Sequence, residues 1–523
     1  MNVTFKTAIL KLLLFAPFAL GGAINANAAG KTWVGGAAGK TNDWNTAANW
    51  SPTGVPAALD APIIPGSLAV YPIVTATASN PIKNLTINSG ASLTIAAGGS
   101  LSMSGNIAAA GTLTISGGTL LTPGGNLGVD GALKVTSGTV AVRDMGGAGT
   151  VTMSGGTLQI NHDYKLPPAQ FSATGGTVEW AGASDASAFP AGVYQFFHVL
   201  IDAGVNPGFD NQGSFFLIAG NWTNNGAATL TRNSTTVTFN GASAQVLAGS
   251  SASTFNNLAI FNGAGVTLAT SVTVNGILGL FGGNFTTGGN TIILVAGGSV
   301  FGGGAGSYVN GNLQKAFAAG NGQSFTFPVG DASSYAPVSL AALNVTKAGS
   351  LTAKSVAGDQ PAIAGSGINP AKSVNRYWTL TNAPGGIVAG TYSATFNFAA
   401  GDVDAGANST NFIAAQFNGS WSTATNAVKS TNSMKISSLA SFGDFSVGEP
   451  AGQQCLSACS VRANGAATFK LSGAGGRTYT IQASTDMATW ANIGTATADA
   501  TGVCQFDDVN AAKFPRRFYR AMY

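Results

Sequence analysis

Between residues 83 and 160 the apolar positions fall as short alternating pairs separated by Gly, Ser or Ala turns. Leu93/Ile95, Leu113/Ile115, Leu133/Val135 and Val151/Met153 recur at steps of 20, 20 and 18 along the chain. A second series, Leu101/Met103, Leu120, Val140/Val142 and Leu158/Ile160, recurs at 19, 20 and 18. A third, Ile107 and Leu127/Val129, is again 20 apart. Three strand positions per coil of this length predict a parallel β-helix, each coil stacked on the last. Period-two alternation turns Leu93 and Ile95 inward and Thr94 outward. Glycines at the corners permit bends that Val or Ile could not make.

A longer repeat follows. Residues 177–184 resemble residues 236–243 at an offset of 59, and residues 196–201 resemble 255–260 at the same offset. An offset of 59 is close to three coils of 20, which extends the helix over residues 83–310. Residues 29–82 read as a Trp-rich cap for its open end, with Trp33, Trp44 and Trp50 followed by a proline-rich exit. Beyond residue 310 the strands lengthen and aromatics rise, as an antiparallel β-sandwich over residues 311–449 requires. Residues 450–523 open on a Pro/Gly/Gln linker and form a small β-module. The fold class is all-β.

Composition changes the picture in one respect. Only 8% of residues are charged, Glu occurs twice, and 73 Gly with abundant Ser, Thr and Asn must cover the surface. After the N-terminus no apolar stretch is long enough to span a bilayer. Residues 1–28 read as a bacterial secretory signal: Lys6 and Lys11, an apolar run over 12–20, then Ala26-Asn27-Ala28. Removing it takes the formal charge from +4 to +2, which gives no case for a nucleic-acid partner. A secreted chain permits a disulfide, expected between Cys504 and either Cys455 or Cys459.

The strings TFNNLAIFNGAGVTLATSVTVNGIL, SFTFPVGD, GINPAKSVNRYWTL and SFGDFSVGEP resemble repeat-rich secreted surface proteins of Gram-negative bacteria. The opening TWVGG…DWNTAANWSPTGVP is similar to the N-terminal region of autotransporter-type passengers. The resemblance covers most of the mature chain. It implies an adhesin-like right-handed parallel β-helix with β-sandwich modules, located outside the cell or on its outer surface, and no catalytic residues. The chain departs from autotransporters in showing no C-terminal stretch long enough for a membrane barrel.

Three groups of residues could carry chemistry. Arg143-Asp144 precedes His162-Asp163 by one coil, with Lys165 beside it, so stacking should bring the five together. They read either as a small acid/base or anion site or as a polar corner that tolerates charge. Trp33, Trp44 and Trp50 read as cap packing, with a sugar-stacking platform as the alternative. Asp402, Asp404 and Asn408 alternate as in a calcium loop but lack its terminal bidentate Glu, so an Asx-rich turn competes with Ca²⁺ binding. No other cofactor is expected. The leading expectation is a non-enzymatic structural or adhesive stalk whose partners are polysaccharide or other cell-surface components. A carbohydrate-binding protein and a β-helical polysaccharide lyase or hydrolase are the alternatives.

Overall fold

The structure is a computed structural model. It describes residues 30–522 except 79–80, 183–190, 208, 210–212, 231–233, 383–384, 425, 452–454, 474–475 and 500, and excludes the side chains of 455 and 457–459. The expected leader, residues 1–28, lies outside the described residues. Among the described residues no helix is long and apolar enough to cross a membrane.

The alternating apolar pairs wind the chain into a parallel β-solenoid of about 13 turns over residues 63–330. At about 4.8 Å per turn the rod is roughly 60 Å long. The three series occupy three walls. Leu93, Leu113, Leu133, Val151 and Phe171 stand in register on one. Leu101, Leu120, Val140, Leu158, Val178 and Val199 line the second. Ile107, Leu127, Met145 and Tyr164 line the third. All are buried, and each Leu, Ile or Val adds roughly 1.5–3 kcal/mol by leaving water. Between the first two walls Gly117, Gly138, Gly156 and Gly176 form a corner column with φ from 73° to 100°. A Cβ on Gly138 would meet the Gly118 carbonyl oxygen at 2.1 Å, so only glycine fits there.

The repeat at offset 59 does not preserve the wall. Strand Phe171–Trp180 pairs with His198–Ile201 in the large sheet, whereas Thr236–Phe239 pairs with Asn257–Phe261 in a separate six-stranded parallel sheet. Coils in this region run slightly longer than those before them, as the register Val193, Phe215, Thr236, Asn257 shows. An offset of 59 therefore falls one wall short of three turns.

Coils also begin earlier than expected. Ile63–Ile64 already pairs in parallel with Leu85–Ile87, inside the segment assigned to the cap. At the other end, strand Val309–Phe317 pairs in parallel with Phe285–Leu294 and antiparallel with Gly349–Ala357. The boundary expected at 310/311 thus lies inside one strand. That strand carries the solenoid sheet into the sandwich through Gly349–Ala357, Ile368–Asn382, Gly443–Pro450 and Ile413–Phe417. The facing sheet holds Gly320–Phe327, Val338–Lys347, Tyr392–Asn397 and Ser433–Leu439. One apolar core runs from Trp33 to Val447. Lys315 at the junction is buried and donates to the Val295 and Ala296 carbonyls at 2.7 and 2.6 Å.

The C-terminal module packs two three-stranded sheets around Leu471, Tyr479 and Ile481. Its geometry corrects the expected disulfide. Cys504 pairs across to Leu471, and Leu471 pairs on its other side to Leu456, so strand Ala467–Ser472 separates Cys504 from the strand carrying Cys455 and Cys459. Two strand spacings are about 9.6 Å, beyond the ~7 Å that a disulfide spans between Cα atoms. Cys504 is a buried free thiol, and burial followed by the nearby Asp499 charge pushes its pKa up.

Candidate functional site

The second wall ends in a corner where inward apolar residues give way to polar ones. Parallel pairing carries this corner through four coils. Asn161 N–H bonds to the Val142 carbonyl, Ala181 N–H to Ile160 and Asp202 N–H to Trp180, so positions 143, 161, 181 and 202 stand one above another. The five predicted residues meet here. His162 Nδ1 lies 2.7 Å from Asp144 Oδ1 and 3.4 Å from Asp163 Oδ1. Arg143 is 3.4 Å from Asp144 Oδ2, and Lys165 Nζ is 2.5 Å from Asp163 Oδ2. The Asp163 N–H adds a 3.0 Å bond to Asp144 Oδ1.

The carboxylates sit inside the cluster, 14% and 15% exposed, and the cations lie over them at 46% and 62%. Burial disfavours ionised Asp144, but the His162 ring, the Asp163 N–H and the Arg143 guanidinium outweigh it and hold the carboxyl below its ordinary value. The hydrogen bond and charge of Asp163 push Lys165 up. Asp144, His162 and Asp163 bring ligand atoms within 4.8 Å of one another. Their chemistry does not fit a cation site, since each carboxylate already faces a basic side chain. The formal charges of the two Asp and of Arg143 and Lys165 cancel. The cluster is an ion-pair network in which Arg143 and His162 hold Asp144, and Lys165 holds Asp163.

One coil further on, the same corner holds a feature that sequence reasoning did not single out. Glu179 is half-buried on the outer face, in register with Gln159 and within hydrogen-bond reach of Asp202. Burial first, then Asp202, raises the Glu179 carboxyl above its ordinary value. The signal was Asp202 one coil on from Glu179, obscured because the coil length there drifts from 20. A raised carboxyl contributes stability that is complete below its unfolded pKa of about 4.3 and is lost as pH rises through the higher folded value. Glu179→Gln should therefore raise the melting temperature at pH 7, with the gain disappearing below about pH 4; thermal melts at both pH values check this.

The Trp platform is not present. Trp33, Trp44 and Trp50 are at most 1% exposed and pack edge-to-face at 5.1 and 4.7 Å. Their indole N–H groups turn inward where partners are identified, Trp33 to the Val70 carbonyl and Trp50 to Trp44, each at 2.9 Å. No ring face reaches solvent for a sugar to stack on, so the cluster is cap packing.

The calcium-loop reading also fails, for an electrostatic reason. Asp402 is buried and accepts two bonds from Arg376, at 3.0 and 2.9 Å. Asp404 faces elsewhere, accepting from the Ser373 N–H at 2.8 Å and the Asn375 amide at 2.7 Å. The Asn408 side chain caps Thr410 in an Asx turn. A guanidinium occupies the place a cation would take. Arg376 itself is 1% exposed and also bonds Asp331 and, at 2.7 Å, the Ser355 hydroxyl. The strings SFTFPVGD and GINPAKSVNRYWTL thus supply Asp331 and Arg376 to a buried structural triad.

A family model described as "Domain of unknown function (DUF8693)" matches residues 32–144, the Trp cap and the first coils. That description names no activity. No curated protein and no solved structure matches the chain.

Proposed function

We propose that this protein is a non-enzymatic stalk of the cell exterior, a β-solenoid rod that presents β-sandwich modules for adhesion or matrix structure. The observation that carries the reading is the unbroken join between rod and sandwich. Strand Val309–Phe317 belongs to both, and one core passes through it. A load applied to the sandwich is borne by ladder hydrogen bonds and packed side chains rather than by a flexible linker. The exterior location rests on the leader read at residues 1–28 and on the resemblance to secreted surface proteins.

The pairing of Asp144 with Arg143 and His162, and of Asp163 with Lys165, supports a structural polar corner rather than a catalytic one. The test is a degradation screen of the mature protein on neutral and acidic polysaccharides, with and without calcium. No product is expected from the parent, from Asp144→Ala or from His162→Ala. Cleavage abolished by either change would overturn the reading, because a true acid/base group commonly contributes about 10²- to 10⁴-fold.

A further inference from the structure

From residue 233 to residue 314 the chain contains no Asp, Glu, Lys, Arg or His. A long stretch of the rod therefore carries no charge. On this neutral band Phe261, Phe281 and Phe301 recur once per coil and point outward, 63%, 49% and 64% exposed. The wall is shaped to hold them. Phe281 and Phe301 touch as a tilted pair, with centroids 5.8 Å apart and ring planes at 52°. Phe301 stands in register with Gly279, and a Cβ on Gly279 would meet the Phe281 ring at 2.6 Å. The missing side chain is what lets that ring lie along the sheet.

Around the corner that follows these rings the rod has a cleft of about 300 Å³ lined by Thr267, Asn284, Thr286 and Asn310 together with turn backbone at 263–265. The turn begins just after Phe261, and Asn284 follows shortly after Phe281, so rings and cleft share one edge. Apolar ring faces beside uncharged hydroxyls and carboxamides match a ligand with apolar C–H faces and many hydroxyls. We infer that this edge of the rod, Phe261, Phe281 and Phe301 with the Thr267/Asn284/Thr286/Asn310 cleft, binds an uncharged polysaccharide. A second copy of the chain fits less well. Taking about 200 Å² per Phe, the three rings expose roughly 350 Å², well under the ~800 Å² per partner of a stable dimer. An anionic or cationic polymer finds no opposite charge here.

The inference rests on reading the protein as a non-catalytic rod and assigns that rod its ligand class. The test is affinity electrophoresis and titration calorimetry of the mature protein with laminarin, galactomannan, hydroxyethyl cellulose and dextran, with pectate as an anionic control. At least one neutral polymer should bind while pectate does not. The Phe261→Ala/Phe281→Ala/Phe301→Ala variant should lose at least tenfold in affinity with an unchanged melting temperature, since the rings lie outside the core. Asn310→Ala should lose several-fold. Binding of none of the neutral polymers overturns the inference, as does binding that survives the triple change. Self-association in analytical ultracentrifugation that the triple change abolishes would also overturn it, assigning the edge to a copy-to-copy contact. Each of these leaves the stalk reading intact, whereas release of cleavage products would defeat that reading instead.

Discussion

Leu113→Asp should leave the solenoid unable to fold at 25 °C. Leu113 is fully buried and packs in register between Leu93 and Leu133 on the first wall. Truncation to Ala would remove apolar contact and leave a cavity, a loss of about 2–5 kcal/mol. The Asp variant does this and also places a carboxylate among Leu, Ile and Val, away from any basic side chain. That carboxylate must be buried charged and unpaired or take up a proton, and either exceeds about 4–5 kcal/mol. Each coil is the template for the next, so the damage spreads along the stack rather than staying in one coil. Thr114→Asp is the control. Thr114 is the next residue, faces outward and stands in register with Lys134, so a carboxylate there should change stability by no more than about 0.5 kcal/mol. Far-UV circular dichroism and urea melts of the two variants check the pair. Equal effects would mean that the inward register is wrong.

Arg376→Ala should destabilise the sandwich by about 3–5 kcal/mol, the range for breaking a buried ion pair from one side. The loss comes mainly from what remains. The Asp331 and Asp402 side chains, 13% and 9% exposed, are left facing one another without the guanidinium that bound both. Burial works against ionised Asp331, but the Ser333 hydroxyl and N–H and the Arg376 charge hold its carboxyl below the ordinary value. A depressed carboxyl contributes stability above its unfolded pKa, about 3.9, and loses it as pH falls through the folded value. The deficit of Arg376→Ala should therefore be large at pH 7 and shrink below about pH 4. Arg376→Met combined with Asp331→Asn and Asp402→Asn should recover much of the stability at pH 7, because no buried charge is then orphaned. Urea melts across pH decide it; a deficit of the same size at pH 3 and pH 7 would mean that packing rather than charge holds the triad.

Much of the rod was legible because its requirement is local. A residue such as Leu133 faces inward through the alternation of its own strand, and Gly138 bends through its own missing Cβ. Both features are repeated once per coil. The stacking of Arg143-Asp144 on His162-Asp163 followed from the same spacing, since parallel coils place residues one turn apart side by side. The Trp cluster was legible as packing for the usual reason that three large apolar rings in a short segment must find cover.

What only the tertiary structure decided depends on distant segments meeting. Every wall asks for the same inward alternation, so residues 177–184 and 236–243 look alike and yet lie on different walls; the wall is set by the accumulated length of all preceding coils. Asp402 reads locally as a calcium ligand, and only the folding of strand Ile368–Asn382 beneath it supplies the Arg376 guanidinium that takes the cation's place. Cys504 is separated from Cys455 and Cys459 by the strand that pairs between them, a matter of sheet order rather than of spacing. Alternation and turns are carried by neighbours along the chain, and the sequence states them outright. Pairing between distant segments is settled by which apolar faces close on one another, and the ionic partners follow from that closure.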